Sequence, residues 1–292
     1  MNFDIGMRLS PHIGELGIEK TAEWAASVGI DVLDLPDLNA DIRASLDKAG
    51  VRPGSIDGKY LLGSSPFLAR DEKAIEKALV ELDKDFKRFN ENGAQVIFMC
   101  LMPPDANQSR KESFEAFQAS FPEVVRLAEK HDVYLAMEGY PGPAPTYPTL
   151  GCTPETMRAM FEAVPSEHFG LNYDPSHLVR LGIDYLRVLE EFKERIVYCH
   201  GKDTELLPEE TYLHGHLPAT FGPSYDFSEG SWRYTIPGEG SIAWDRVAVR
   251  LEKAGYTGPI SIELEDHRYW GTLEKEMQGI KKSRDHLAAI FK

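Results

Sequence analysis

The stretch "LNYDPSH" (171–177) ends an apolar run in Asp174 and places His177 three residues further on, with Pro175 between them. Proline suits the first position of a helix, so Asp174 is expected where a strand stops and a helix is about to start. The same pattern recurs. "VYLAME" ends in Glu138, "IVYCHGK" carries His200 and Lys202, and "ISIELE" carries Glu263 and Glu265. Successive side chains of a strand point to opposite faces. One face therefore takes Ala136 with Glu138, Asn172 with Asp174, Tyr198 with His200 and Lys202, and Ser261 with Glu263 and Glu265. The other face is apolar in all four: Leu135 and Met137, Leu171 and Tyr173, Val197 and Cys199, Ile262 and Leu264.

A carboxylate facing an interior is costly unless paired, and three converging ones repel each other unless a cation lies between them. Glu138, Asp174, His200 and Glu263 are the expected ligands of one divalent ion. Three carboxylates with one imidazole suit Mn²⁺, Mg²⁺ or Co²⁺ better than a thiolate-type zinc site. Manganese is expected foremost, with magnesium, cobalt or zinc as alternatives. His177 is either a further ligand or a donor to a substrate oxygen. Any one strand-end acid is ordinarily a solvated charge or a helix N-cap; four such positions on one face of successive strands point to a site. His131, His168 and His286 read as surface residues. The pair His214 and His216 reads as loop or interface contacts, since H-x-H spacing alone is weak.

These residues need a scaffold. Eight β-rich runs alternate with helical patterns: 3–9, 31–36, 51–57, 94–102, 133–138, 169–174, 196–203 and 259–266. The third is the weakest, because Pro53 and Gly54 interrupt it. Amphipathic helices are expected at 18–29, 73–93, 153–164 and 243–259, the third with Thr153 as N-cap and Pro154 at its first position. This alternation predicts an α/β fold, a (β/α)8 TIM barrel, as a single domain over 1–292. A doubly wound open sheet is the alternative, but "MRLSPHIGELG" after the first strand is no glycine fingerprint. Barrel active sites lie at the C-terminal ends of the strands. The longest non-periodic segment, 205–240, falls after the seventh strand and is expected to extend over that face. Its Trp232 and Arg233 are candidate substrate contacts, with an oligomer interface as the competing role.

Composition narrows the classes. The chain has 292 residues, 47 Asp and Glu against 32 Lys and Arg, and a net charge of −15. That balance disfavours a nucleic-acid partner. Cys100, Cys152 and Cys199 are widely spaced, which suits a reduced compartment. The first residues show neither a basic stretch nor an apolar core, and no run reaches a membrane span of roughly 18 apolar residues. A cytoplasmic location and no membrane partner are expected.

The segments "AMEGYP", "LNYDPSHL", "YCHGKDTE", "IPGEGSIAWDRV" and "GYTGPISIELED" resemble the xylose isomerase-like TIM barrel superfamily, nearest to its sugar phosphate isomerase/epimerase group. The resemblance implies a single divalent metal on Glu138, Asp174, His200 and Glu263, with Glu138 and Glu263 moving a proton on opposite faces of a metal-bound enediolate. The implied activity is a sugar isomerase or epimerase, with a metal-dependent lyase or dehydratase on a keto-sugar, 3-keto-glycoside or keto-inositol as the alternative. The implied partner is a small carbohydrate, in a chain that is monomeric or a homo-oligomer. Ketohexose 3-epimerases of this superfamily carry an arginine shortly after the histidine ligand, whereas here the stretch reads "HGKDTELLP". Lys202 is left either to hold substrate or to pair with a barrel carboxylate. The extra ligands of the superfamily's apurinic endonucleases are missing from "SWRYTIPGEG", a further sign against a nucleic-acid substrate.

Overall fold

Strand runs with a period of two and helices with an apolar stripe alternate along the chain, and each needs the other to cover its apolar side. In the computed structural model, which describes residues 2–292, the strands are β1 (Ile5–Arg8), β2 (Val32–Leu35), β3 (Arg52–Ser64), β4 (Val96–Met102), β5 (Tyr134–Glu138), β6 (Phe169–Tyr173), β7 (Ile196–Gly201), β8 (Asp203–Leu206), β9 (Trp232–Thr235) and β10 (Ile260–Ile262). Eight of them close into a barrel in the order β1-β10-β7-β6-β5-β4-β3-β2, and β8 and β9 form a separate two-stranded sheet. Every barrel pair is parallel. The chain folds as a single-domain (β/α)8 TIM barrel.

The outer layer runs α1 (Pro11–Gly14), α2 (Ile18–Ser27), α3 (Ala40–Ala49), α4 (Glu72–Glu91), α5 (Arg110–Lys130) and α6 (Pro154–Ala163), then α7 (Pro175–Arg180), α8 (Tyr185–Glu191), α9 (Pro208–His214), α10 (Trp244–Lys253) and α11 (Leu273–Phe291). Their starts are encoded locally. Asp71 caps α4, Ser109 and Glu112 form a capping box on α5, and Thr153 caps α6 ahead of Pro154. The apolar strand faces lie against this layer: Leu135, Met137, Leu171, Tyr173 and Ile262 are each at most 2% exposed.

Register carries the polar faces to one level. Glu138 pairs with Asn172, Asn172 with Tyr198, and His200 with Ser261. Below that level Asp34 accepts hydrogen bonds from the Ser55 amide (2.8 Å), the Ser261 hydroxyl (2.6 Å) and the Tyr198 hydroxyl.

Three elements differ from the sequence reading. The third strand runs to Ser64 rather than 57. Its register against β4 shifts between Asp57 and Leu62, and Tyr60 within that stretch has φ 64°, so the alternation that marks a strand is broken there. The last strand pairs only over Ile260–Ile262, which leaves Glu263 and Glu265 on the chain leaving the barrel. The segment 205–240 is not structureless. It holds the end of β8, α9 and β9, with Leu206 opposite Trp232 and Thr204 opposite Tyr234. Strands of four residues with so distant a partner leave no periodic trace.

The turn after β9 closes on Asp203. Its carboxylate accepts from the backbone N–H groups of Thr204 (2.8 Å), Gly238 (3.1 Å) and Ile242 (3.1 Å) and from the Trp244 indole (3.0 Å). A Cβ at Gly240 would stand 2.1 Å from Asp203 Oδ1, so only glycine fits the turn. Burial nonetheless pushes the Asp203 carboxyl up, against the pull of those donors. All three cysteines are free and buried. Among the described residues no helix is long and apolar enough to cross a membrane. Replacing Asp203 by alanine strands three amides and an indole in the interior. The expected cost is about 3 kcal/mol, read as a lowered urea midpoint with an unchanged slope.

Candidate active site

Asp174 ends β6 as the N-cap of α7. Its Oδ1 accepts from the Ser176 amide at 2.8 Å, while its buried Oδ2 makes no hydrogen bond although Lys202 Nζ lies 3.2 Å away. His200 is fully buried on β7. Its Nδ1 meets Glu138 Oε1 at 2.8 Å and stands 3.5 Å from Glu263 Oε2. Its Nε2 has no hydrogen-bond partner and points toward Asp34 Oδ2, 3.7 Å off. Asn172 donates to Glu138 at 3.1 Å, holding the carboxylate in place. One ligand atom from each of Glu138, Asp174, His200 and Glu263 lies within 4.8 Å of the others. Three carboxylates and an imidazole this close, one carboxylate oxygen lacking a donor, fit an oxygen-rich divalent-ion site.

Lys202, 1% exposed, is the countercharge. It bonds Glu263, Glu265 (3.0 Å) and His177 Nε2 (3.3 Å). Burial works against its charge, yet Asp174, Glu263 and Glu265 raise it well above the usual lysine range. Burial and the neighbouring Glu138 push the Glu263 carboxyl up, but Lys202 and His200 outweigh them and hold it below the usual range. Glu138 is likewise held low against its burial, chiefly by His200. Glu265 is instead pushed up by burial, with Lys202 only partly offsetting that. Burial disfavours the His200 imidazolium, and Glu263 and Glu138 overcome it and raise that group. Carboxylates whose environments drive them apart are a usual feature of acid–base sites.

Above this floor lies a cavity of about 430 Å³. Leu62, Phe98 and Met102 form one wall, Tyr140, Trp232 and Tyr234 another. A match to the model of the xylose isomerase-like TIM barrel family covers residues 15–290. This chain belongs to that family. Among solved structures, the IolI protein with a binding zinc atom shares the fold at a TM-score of 0.70, with 20% identity over 100% of this chain and 99% of that one. A structure of L-ribulose 3-epimerase gives 0.71, with 15% identity over 100% and 95%. Among curated proteins, an inosose dehydratase of Geobacillus thermodenitrificans (strain NG80-2) is 29% identical over 113 residues, 39% of this chain and 36% of that protein. The matches to such curated relatives span only about a third of their length.

In this xylose isomerase-like barrel the structure gathers Glu138, Asp174, His200, Glu263, His177, Lys202 and Trp232 at one mouth. Arg233 is not brought there. It alternates with Trp232 and Tyr234 on β9, so its side chain leaves by the other face and pairs with Glu205 at 2.8 Å. The guanidinium beside the cavity is that of Arg180, three residues after His177 on α7. It stacks 3.8 Å from the Trp232 ring and donates to the Tyr234 hydroxyl (2.9 Å) and Glu229 (2.8 Å). The helical spacing from His177 was the signal for Arg180, and the two-residue spacings from Glu138 and Trp232 were those for Tyr140 and Tyr234. Asp34 was visible as the acid within the apolar "VLDL". His214 instead bonds Glu210 and the Leu217 carbonyl, and His131 bonds Asp83, outside the cavity.

Lys202→Met leaves buried carboxylates facing each other. In metal-free protein near neutral pH it is expected to cost about 3 kcal/mol. Because the folded lysine is raised, the wild-type advantage is complete below its ordinary 10.5 and is lost only as pH climbs toward the folded value. Thermal melts of both proteins across neutral to alkaline pH check this.

Proposed function

We propose that this chain is a divalent-metal-dependent sugar isomerase or epimerase. Glu138, Asp174, His200 and Glu263 hold the ion, manganese foremost, and Glu138 and Glu263 are the paired acid–base residues. The observation that carries this reading is the approach of both glutamates, from β5 and from the end of β10, to the same His200 nitrogen. Binding alone calls for no such pair of ionised carboxylates, each held below its usual range by fixed cations. The fold likeness to an L-ribulose 3-epimerase supports it, and the zinc in the IolI structure supports a metal in this type of barrel.

A divalent ion held by Glu138, Asp174, His200 and Glu263 would acidify the proton on the carbon that joins a ketone to its neighbouring hydroxyl. One glutamate removes that proton from one face of the sugar and the other returns it on the opposite face. Lys202 holds Glu263 and Glu265 in place, and His177, fixed by the Tyr234 hydroxyl at 2.5 Å on one ring nitrogen, meets Lys202 Nζ at 3.3 Å with the other and so orients the lysine. Trp232 and Tyr140 form the wall against which an apolar sugar face packs. A second reading is a metal-dependent lyase or dehydratase on a keto-sugar, 3-keto-glycoside or keto-inositol. The partial likeness to inosose dehydratases favours it. Deuterium uptake from solvent into an otherwise unchanged sugar supports the first reading; loss of water supports the second.

Glu138→Gln or Glu263→Gln is expected to lower turnover by at least about 10²-fold while metal affinity falls less, since the amide oxygen still coordinates. Near-wild-type turnover would remove that glutamate from proton transfer. Elemental analysis should find one divalent ion in the wild type and little in Asp174→Ala. The raised His200 must shed its proton to ligate, so metal uptake should release protons and apparent affinity should rise with pH above the ordinary imidazole value of 6.5. Calorimetry in buffers of different ionisation enthalpy reads both effects.

A further inference from the structure

The cavity is lined by four carboxylates, Glu138, Glu229, Glu263 and Glu265, against two cations, Arg180 and Lys202. Both cations are already paired. Lys202 is shared among Glu263, Glu265 and Asp174. Arg180, 6% exposed, is tied to Glu229 and the Tyr234 hydroxyl and packed over Trp232. Arg8, at the cavity's edge, pairs with Asp57 at 2.7 Å and stands 3.5 Å from Glu263. A divalent ion would cancel the excess charge of the lining and still leave Asp174 over.

TIM barrels that take phosphate esters usually hold the phosphate on the loops after the seventh and eighth barrel strands. Here those donors face inward to the chain's own carboxylates. The glycine turn after β9 gives its N–H groups to Asp203. After β10, Asp266 accepts from the Ile236 amide (3.2 Å), the Arg268 amide (2.9 Å) and the Arg268 side chain (2.9 and 2.6 Å). A phosphate entering the mouth would meet like charge and no unpaired donor cradle, while Leu62, Phe98, Met102 and Trp232 offer apolar surface to a neutral ring.

We propose that the substrate of this site is an uncharged sugar or polyol derivative and that its phosphate esters are rejected. The inference rests on the carbohydrate reading above. It is tested by titration calorimetry on manganese-loaded protein of known metal content, with neutral ketoses, their terminal phosphate esters and inorganic phosphate alone. At least one neutral sugar is expected to bind at least about ten-fold tighter than its ester, with inorganic phosphate failing to displace it. The Glu229→Gln/Glu265→Gln double variant should narrow that gap by gaining ester affinity. An ester that binds as tightly as its neutral partner, or displacement of the neutral sugar by inorganic phosphate, would overturn the proposal. Binding of no sugar, neutral or esterified, would instead bring down the carbohydrate reading and the inference with it.

Discussion

Several acidic side chains share one small volume inside a folded chain, and the mouth of the barrel is arranged around the need to neutralise them. Glu138, Asp174, Glu263 and Glu265 gather about His200 and Lys202. Isolated buried carboxylates neutralise by taking up protons. Here the lysine and the imidazole are fixed within a few ångströms, so Glu138 and Glu263 stay ionised while Glu265, at the margin, is pushed the other way. A cluster of this kind contributes little to stability, because desolvation offsets most of the attraction. Its persistence in the fold is best accounted for by chemistry.

The barrel makes the cluster affordable. Parallel pairing places Glu138 beside Asn172 and His200 beside Ser261, so acids encoded far apart arrive at one level. Beneath them the Asp34 network occupies the barrel interior and faces the second nitrogen of His200. The apolar sides of the same strands are sealed by the helices, which keeps the backbone under the site stiff. In the proposed reaction, rigid strand ends would hold the two glutamates in register with a substrate carbon.

The rim follows the same rule of internal pairing. Asp203 gathers the glycine turn, Asp266 gathers Arg268, and Glu229 holds Arg180 over Trp232. These cations and amides, which could recruit an anion, are each matched by a carboxylate of the chain. The short β8–β9 sheet is the frame for this rim. It turns Trp232 and Tyr234 toward the cavity and Arg233 toward Glu205.

Strand order, the inward phase of Glu138, Asp174, His200, Lys202 and Glu263, and the family were legible in the sequence. These follow from local alternation and from segments such as "LNYDPSH" and "SIELED", whose spacing survives unaligned reading. The strand from Arg52 to Ser64 was legible only in its first half, because the register shift near Tyr60 erases the two-residue period. The β8–β9 sheet was not legible at all: each strand is four residues long and its hydrogen bonds go to a distant partner. The side of β9 on which Arg233 stands depended on that pairing, so the sequence alone nominated Arg233 where the tertiary structure supplies Arg180. Lys202 had two open roles in the sequence. Only the fold placed it within reach of three carboxylates, because such distances depend on β6 and β10 standing on either side of β7 in the closed barrel.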